Sequence, residues 1–344
     1  MSPETKTIKL TRKDFAASQD VRWCPGCGNN AILAQVQKTF PELGIPRENI
    51  VIISGIGCSS RFPYYMNTYG IHSIHGRAPT LAMGLKCARP ELQVWVVTGD
   101  GDGLAIGGNH LMHAMRRNVD INIMLFNNRI YGLTKGQYSP TSEIGSISSS
   151  SPFGSIENPV NPIGVAIGSE ASFIARTVDV FQKHMSEVLR RSAAHSGAAL
   201  VEIAQNCIIF NDATWGHITD PDNRLDNVLY LEHGKAMRFG KQGEKGIRLN
   251  GLRPEVVKVA DVGEENLLVH DEQASEPTLA YLLSRMGPPD FPTPVGVFRA
   301  VEKPVYSQLL IEQVRCAQAE KNADLDALFR QGETWDVPEQ TGDS

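Results

Sequence analysis

The chain has 344 residues, a hydrophobic content of 41% and a formal net charge of −5. This length and content suffice for one large α/β domain with appendages. The acidic balance and the lack of a long basic run argue against a nucleic-acid-binding protein. No segment has the apolar length of a membrane span, and the first residues lack the apolar core of a secretion signal. We therefore expect a cytoplasmic protein with neither a nucleic acid nor a membrane as its partner.

The chain begins with a polar lead-in, residues 1–20, which is followed by CPGCG with Cys24 and Cys27. Two thiolates separated by two residues, in a Gly-bearing turn with exposed amides, can bind one metal ion or cluster. A helix is predicted over Asn30–Phe40 and a buried strand over Ile50–Ser54. That strand runs into GIGCSSR, which brings Cys58 into a second Gly-rich turn.

The next motif is HGRA, which precedes a helix predicted over Thr80–Ala88. The N-terminus of this helix can face an anionic group, and Arg77 can pair with a phosphate or with a carboxylate of a partner. The alternative interpretation is that His72 and His75 only cap and pack in a turn.

The stretch Val94–Gln137 predicts a strand, a helix and a second strand of a parallel sheet. Its helical pattern places Leu111, Met112 and Met115 on one face. Gly99-Asp100-Gly101 ends the first strand, and Asn127-Asn128 ends the second strand, Ile121–Phe126. Ligands of open parallel sheets bind at this edge, and glycines with nearby carboxylate and amide oxygens suit a diphosphate held by a divalent cation. Gly-Asp-Gly alone is also found in ordinary turns.

Further strands are predicted over Phe173–Ala175 and Ala198–Ala204, with the helix Val180–His195 between them, and Cys207 follows the last of these strands. Cys58 and Cys207 then share one sheet edge, to which the CPGCG turn adds two more cysteines. Four thiolates can ligate an iron–sulfur cluster or a structural zinc ion, and a redox dithiol or simple burial is the third possibility. Two other cysteines fall inside predicted helices and are interpreted as core or surface residues: Cys87 and Cys316.

The organisation along the chain follows from these patterns. Residues 21–220 are predicted to form one domain that carries the proposed diphosphate site and the four grouped cysteines, and residues 221–306 are predicted to complete it with a small hairpin region. The Ser-, Gly- and Pro-rich loop from Ser142 to Pro162 is interpreted as a wall over the ligand and part of a subunit contact. Residues 307–344 are predicted to form a C-terminal helix, over Ser307–Glu320, and a polar tail.

Six ordered blocks resemble the β subunits of 2-oxoacid:ferredoxin oxidoreductases, most closely those of the 2-oxoglutarate type. The blocks are CPGCG, GIGCSSR, HGRA, GDGDGLAIGG, NNRIYGLTKGQYSPT and a lone distal cysteine, and they cover the chain from about Arg22 to Cys207. Within them, Asp100 and Asn128 stand 28 positions apart, as in the thiamine diphosphate fingerprint. The resemblance implies a thiamine diphosphate-binding α/β fold, a doubly wound and mainly parallel sheet with helices on both faces, plus a C-terminal appendage.

The resemblance also implies roles for single residues. Asp100 and Asn128 by their side chains, and Ile130 by its carbonyl, would bind magnesium. Cys24, Cys27, Cys58 and Cys207 would ligate one four-iron four-sulfur cluster close to thiamine diphosphate. The residues predicted to contact the cofactor are Gly57, Cys58, Ser59, His75, Gly76, Gly99, Asp100, Gly101, Asp102, Asn128, Ile130, Gly132, Leu133 and Thr134.

The reaction implied by the resemblance is oxidative decarboxylation. A 2-oxoacid, coenzyme A and two oxidised ferredoxins give an acyl-CoA, carbon dioxide and two reduced ferredoxins, and the reaction can run backward as carboxylation. The family's cofactor-activating Glu comes from a second chain, so we expect this chain to be active only in a heterodimer, or a dimer of heterodimers, with an α subunit that also contacts substrate and coenzyme A. The alternatives are another 2-oxoacid, such as pyruvate, or a non-redox thiamine enzyme with structural zinc. A zinc- and nucleotide-binding module is a more distant alternative.

Lys135 is the candidate for substrate selection, because related pyruvate-type enzymes usually carry a small residue at this position. A cation there can pair with the distal carboxylate of a five-carbon diacid. The alternative is a solvated loop lysine. Arg77 is the second candidate for a catalytic contact.

Overall fold

The computed structural model describes residues 10–320 and 324–337. The remaining parts of the predicted lead-in and tail, residues 1–9 and 338–344, lie outside the described residues, as do residues 321–323. The strands are β1 (Ile50–Ser54), β2 (Tyr69–His72), β3 (Gln93–Gly99), β4 (Asn122–Asn127), β5 (Phe173–Val178), β6 (Ala199–Ala204), β7 (Val228–Leu231), β8 (Arg238–Phe239), β9 (Lys245–Asn250), β10 (Arg253–Lys258) and β11 (Thr293–Ala300).

Eight of the described strands form one sheet in the order β2-β1-β3-β4-β6-β5-β11-β7, and β8, β9 and β10 form a small antiparallel sheet. In the large sheet, β5 and β11 pair antiparallel and the other described pairs are parallel. The carboxyl ends of β2, β1, β3, β4 and β6 therefore lie next to one another along one edge.

The helices surround this sheet. They are α1 (Gly28–Thr39), α2 (Phe62–Tyr65), α3 (Ala78–Ala88), α4 (Asp100–Leu104), α5 (Gly108–Arg116), α6 (Pro162–Gly168), α7 (Gln182–Ala194), α8 (Gly216–Thr219), α9 (Arg224–Asn227), α10 (Val259–Val262), α11 (Thr278–Ser284), α12 (Tyr306–Glu320) and α13 (Leu325–Phe329). Among the described helices, none is both long and apolar enough to cross a membrane.

The central strands bury both of their faces. In β3, Val94 and Val96 belong to one hydrophobic cluster with residues of α3, α5, α6 and α11, whereas Trp95 and Val97 belong to a second cluster with residues of α1 and α7. Side chains alternate between the faces of a strand, so a strand covered by helices on both sides needs apolar residues at every position. This explains the continuous apolar run that the sequence shows before Gly99.

The predicted doubly wound α/β fold is confirmed, with small differences in its elements. Met112 does not share the buried face of α5, because it is 38% exposed while Leu111 and Met115 are fully buried. The strand predicted over Phe173–Ala175 continues to Val178, because its whole length is buried between β6 and β11. The hairpin region expected within residues 221–290 contains the sheet β8–β10, but β7 was not predicted and joins the large sheet instead.

Candidate active site

Four loops meet at the carboxyl edge of the large sheet. They follow β1, β3, β4 and β6, which are parallel neighbours, and they carry Cys58, Asp100, Asn128 and Cys207. The loop after β2 adds His75 at the same edge. The strand order therefore brings together residues that are far apart in the sequence, at the edge where such sheets bind ligands.

A first cavity, which we call the aspartate cavity, lies above the end of β3. Its volume is about 70 Å³. It is lined by most of the predicted cofactor-binding residues: Gly57, Cys58, Ser59, His75, Gly99, Asp100, Gly101, Asp102, Ile130, Gly132, Leu133 and Thr134. Ile56 and Tyr131 complete the lining.

Two of the predicted contact residues do not line this cavity. The N–H of Gly76 donates to Asp102 Oδ1 at 2.7 Å, and a Cβ at Gly76 would lie 2.6 Å from the backbone nitrogen of Gly107, so this glycine packs beneath the cavity. The Asn128 side chain turns toward its own loop, where Oδ1 accepts from the N–H of Ile130 at 3.2 Å.

Asp102 joins three segments of the edge. Its buried carboxylate accepts from the N–H of Ile56 at 3.1 Å, from the N–H of Gly76 and from the Thr98 hydroxyl at 2.6 Å. These bonds fix the loops after β1 and β2 against the end of β3. Asp102 therefore shapes the cavity that it lines.

Asp100 is the second buried acid of the aspartate cavity, 2% exposed. Burial raises the pKa of its carboxyl, against the hydroxyls of Ser139 and Thr141, which lower it. Both hydroxyls donate to Oδ2, Thr141 at 2.6 Å, and no side chain among the described residues donates to Oδ1. A buried carboxylate is costly without a cation, and an oxygen left free by its side-chain partners is a suitable hard ligand. The site fits a magnesium ion at Asp100.

Gly101 is required by close packing against Tyr131. A Cβ at this position would lie 2.2 Å from Tyr131 Cε1, and the Tyr131 hydroxyl donates to the Gly101 carbonyl at 2.9 Å. The loop after β4 thus closes onto the loop after β3. Sequence reasoning missed the roles of Tyr131, Ser139 and Thr141, although a cluster of hydroxyls after Asn128 was visible in the segment YSPTS.

A second cavity, the cysteine cavity, has a volume of about 230 Å³. Its lining includes the four cysteines that sequence analysis grouped: Cys24, Cys27, Cys58 and Cys207. The rest of the lining is apolar or cationic, with Trp23, Leu133, Ile208, Ile209 and Phe210 beside Arg22, Arg61 and Lys135. Cys87 in α3 and Cys316 in α12 are not part of this lining.

Two of the four thiols are difficult to ionise without a metal. Burial, together with the charges of neighbouring cysteine thiolates, raises the pKa of Cys27 and of Cys58 to about 11. A metal centre would reverse this preference, because metal-bound thiols are deprotonated. Within residues 10–320 and 324–337 no group of three or more His, Cys, Asp or Glu is compact enough to hold a single metal ion. The four thiols line one cavity of about 230 Å³, and this set of donors fits an iron–sulfur cluster.

The two cavities share a wall. Cys58, Gly132 and Leu133 line both of them. Gly132 lies in this wall and is close to two of the sulfurs, since a Cβ at this position would lie 3.5 Å from Cys58 Sγ and 3.6 Å from Cys207 Sγ. Groups bound in the two cavities would therefore be immediate neighbours.

Neither of the two candidate catalytic cations lines the aspartate cavity. Lys135 is exposed, has a positive φ of 75°, and lines the cysteine cavity rather than the aspartate cavity. Arg77 precedes α3 and donates from Nη1 to the Ile106 carbonyl at 3.4 Å, which leaves its other N–H groups free of protein partners among the described residues.

The fold and the aspartate cavity define a thiamine diphosphate enzyme. Residues 55–203 match the family profile described as thiamine pyrophosphate enzyme, C-terminal TPP binding domain. The chain is 51% identical to the 2-oxoglutarate oxidoreductase subunit KorB of Mycobacterium tuberculosis, over 94% of this chain and 88% of that protein. It is 40% identical to the 2-oxoglutarate synthase subunit KorB of Methanocaldococcus jannaschii, over 71% and 83% of the two chains.

A solved structure has the same fold. It is a 2-oxoglutarate:ferredoxin oxidoreductase from Magnetococcus marinus with 2-oxoglutarate, coenzyme A and succinyl-CoA bound, and it matches with a TM-score of 0.77 and 32% identity over 96% of this chain and 98% of that chain. The chain belongs to the β subunits of the 2-oxoacid:ferredoxin oxidoreductases. It is an oxidoreductase subunit, and the predicted family is confirmed.

Proposed function

We propose that this chain is the β subunit of a 2-oxoglutarate:ferredoxin oxidoreductase. With an α subunit it converts 2-oxoglutarate and coenzyme A to succinyl-CoA and carbon dioxide, and the electrons leave through a four-iron four-sulfur cluster to ferredoxin. The same machinery runs backward as reductive carboxylation. The observation that carries this proposal is the shared wall of the two cavities at Cys58, Gly132 and Leu133. The names of the relatives support the substrate.

In the aspartate cavity, Asp100 holds the magnesium ion through the carboxylate oxygen that Ser139 and Thr141 leave free. Asn128 and the Ile130 carbonyl complete the protein ligands, which requires the Asn128 side chain to turn from the Ile130 N–H toward the cation. Thiamine diphosphate, when bound, supplies the nucleophile and the electron sink that decarboxylation of a 2-oxoacid requires. Asp102 keeps the loops around it in place by its three hydrogen bonds.

In the cysteine cavity, Cys24, Cys27, Cys58 and Cys207 hold the cluster. Ferredoxin accepts one electron at a time, whereas decarboxylation releases an electron pair. A one-electron acceptor is therefore needed close to the site of decarboxylation. Cys58 meets that need because it lines both cavities. Cys24 is exposed and lies on the solvent side of the four cysteines, so a partner protein can approach the cluster from this side.

The α subunit completes the site. Ligand and cofactor cavities measure about 300–1,000 Å³, whereas the aspartate cavity measures about 70 Å³. A second chain would supply the missing walls, the cofactor-activating Glu and the contacts to coenzyme A and substrate. We propose a heterodimer or a dimer of heterodimers, to which Arg77 offers free N–H groups for a phosphate or a partner carboxylate.

Lys135 is proposed to select 2-oxoglutarate over pyruvate. Leu133 and Thr134, its neighbours in the chain, line the aspartate cavity, and Lys135 follows them at the boundary with the cysteine cavity. Pairing of its ammonium with the distal carboxylate of the diacid would favour the longer substrate.

The test is spectroscopic and analytical. Protein purified anaerobically with its α subunit is expected to show a broad absorption near the blue end of the visible spectrum, together with four iron and four sulfide per chain. A colourless protein that contains zinc would refute the redox function and favour a non-redox thiamine enzyme.

A further inference from the structure

The CPGCG turn lies against the segment that follows β6. The N–H of Gly28 donates to the Asn206 carbonyl at 3.1 Å, and a Cβ at Gly28 would lie 2.0 Å from Asp179 Oδ2 and 2.9 Å from Gln205 Cγ. Only a glycine permits this approach. The contact brings Cys27 next to Gln205, a residue that neither the motifs nor the family comparison singled out.

Gln205 is a buried side chain, 1% exposed, at the back of the cysteine cavity. Its Nε2 lies 3.5 Å from Cys27 Sγ and donates a hydrogen bond to it. Nε2 also donates to the carbonyl of Asn206. Because a carbonyl oxygen can only accept, this bond shows that the NH2 end of the amide, and not Oε1, faces Cys27. Both protons of the amide are thus assigned, and Oε1 has no partner within the described part of the chain.

Gln205 is distinctive among the neighbours of the tetrad. Of the side chains in residues 10–320 and 324–337, it alone donates a hydrogen bond to one of the four sulfurs. Its backbone N–H donates to the Asn127 carbonyl at 3.0 Å, which continues the pairing of β6 with β4 and holds the side chain at a fixed distance from the tetrad. The amide therefore reaches Cys27 from a rigid element.

We propose that Gln205 is a positioning residue that sets the reduction potential of the cluster through its hydrogen bond to Cys27. This inference rests on the proposed function, since it assumes a cluster on the tetrad. Reduction adds negative charge that is spread over the cluster and its sulfurs, and an N–H donor stabilises that charge. The amide thereby raises the potential, and it makes the cluster a better acceptor for electrons from the neighbouring cavity.

The test compares Gln205→Met with Gln35→Met in the complex with the α subunit. Methionine keeps the length of the side chain and removes the donor. Gln35 is a buried glutamine of α1 that donates to Ser186, so the control makes the same change away from the tetrad. A potentiometric titration followed by electron paramagnetic resonance is expected to give a more negative midpoint for Gln205→Met and an unchanged midpoint for Gln35→Met.

If Gln205→Met loses the cluster, Gln205→Asn retains the amide one methylene further from Cys27 and is also expected to shift the midpoint to a more negative value. Electron-nuclear double resonance of the wild-type complex, before and after exchange into D2O, is expected to show an exchangeable proton near the reduced cluster that the variant lacks. An unchanged midpoint in a variant with full iron content would overturn this inference alone. A wild-type complex without iron and sulfide would overturn the proposed function.

Discussion

Removal of the Thr141 hydroxyl tests whether Asp100 is a ligand of the proposed magnesium ion. Thr141→Val removes the donor at 2.6 Å from Oδ2 and keeps the shape of a side chain that is 3% exposed. A hydrogen bond to a charged group contributes about 1.5–3 kcal/mol, and loss of a partner that orients a metal ligand weakens metal binding about 10–100-fold. The two ranges agree, so we expect magnesium affinity to fall by about one to two powers of ten.

The assay titrates magnesium into the α–β complex at saturating thiamine diphosphate, followed by calorimetry or by the change in tryptophan fluorescence. Because the hydroxyl lowers the pKa of Asp100, the variant is also expected to lose magnesium at a higher pH than the wild type. Thr177→Val is the matched control, since Thr177 is a fully buried threonine whose hydroxyl bonds to His184. If Thr141→Val and Thr177→Val bind magnesium as the wild type does, Asp100 is not the ligand that Thr141 orients.

Three further outcomes are expected. Cys207→Ser is expected to lose the cluster, measured as iron and sulfide per chain. Cys316→Ser, at an exposed helix position, is the control and is expected to keep its full iron content. Equal iron in the two variants would show that Cys207 is not a ligand. Lys135→Ala is expected to lower the ratio of activity on 2-oxoglutarate to activity on pyruvate, and an unchanged ratio would end its proposed role. His184 has its pKa lowered to about 4 by burial. The folded state thus favours the neutral form of His184. The free energy of unfolding therefore falls as the pH drops below about 6.5, the pKa of a histidine in the unfolded chain, and the loss between pH 7 and pH 5 is up to about 2 kcal/mol. Urea unfolding at the two pH values is expected to show this loss and to show less of it in His184→Gln; an equal loss in both would refute it.

The sequence predicted the central part of the fold because its signals are local. The run before Gly99 and the run before Asn127 are continuously apolar, which is typical of strands that are covered on both faces. A strand–helix–strand pattern is typical of parallel strands, which need a crossover connection, and the carboxyl ends of parallel strands share an edge. The positions of Asp100, Cys58 and Cys207 at that edge follow from these two rules.

Other features depend on contacts that a pattern does not contain. Met112 lies next to Leu111 in α5, and only the packing of the helix decides that it faces solvent. β7 is four residues long and pairs with β11, a partner more than sixty positions away in the chain. The role of Gln205 depends on the approach of Gly28, which comes from the far end of the sequence.

Electron transfer between the two cavities is the central step of the proposed function. The anaerobic complex with its α subunit, loaded with thiamine diphosphate and magnesium, is mixed rapidly with 2-oxoglutarate in the absence of ferredoxin, and the cluster is followed by electron paramagnetic resonance. The signal of the reduced cluster is expected to appear in this mixture and to disappear when oxidised ferredoxin is added. A fully loaded complex that consumes 2-oxoglutarate while its cluster stays oxidised would contradict the proposed function.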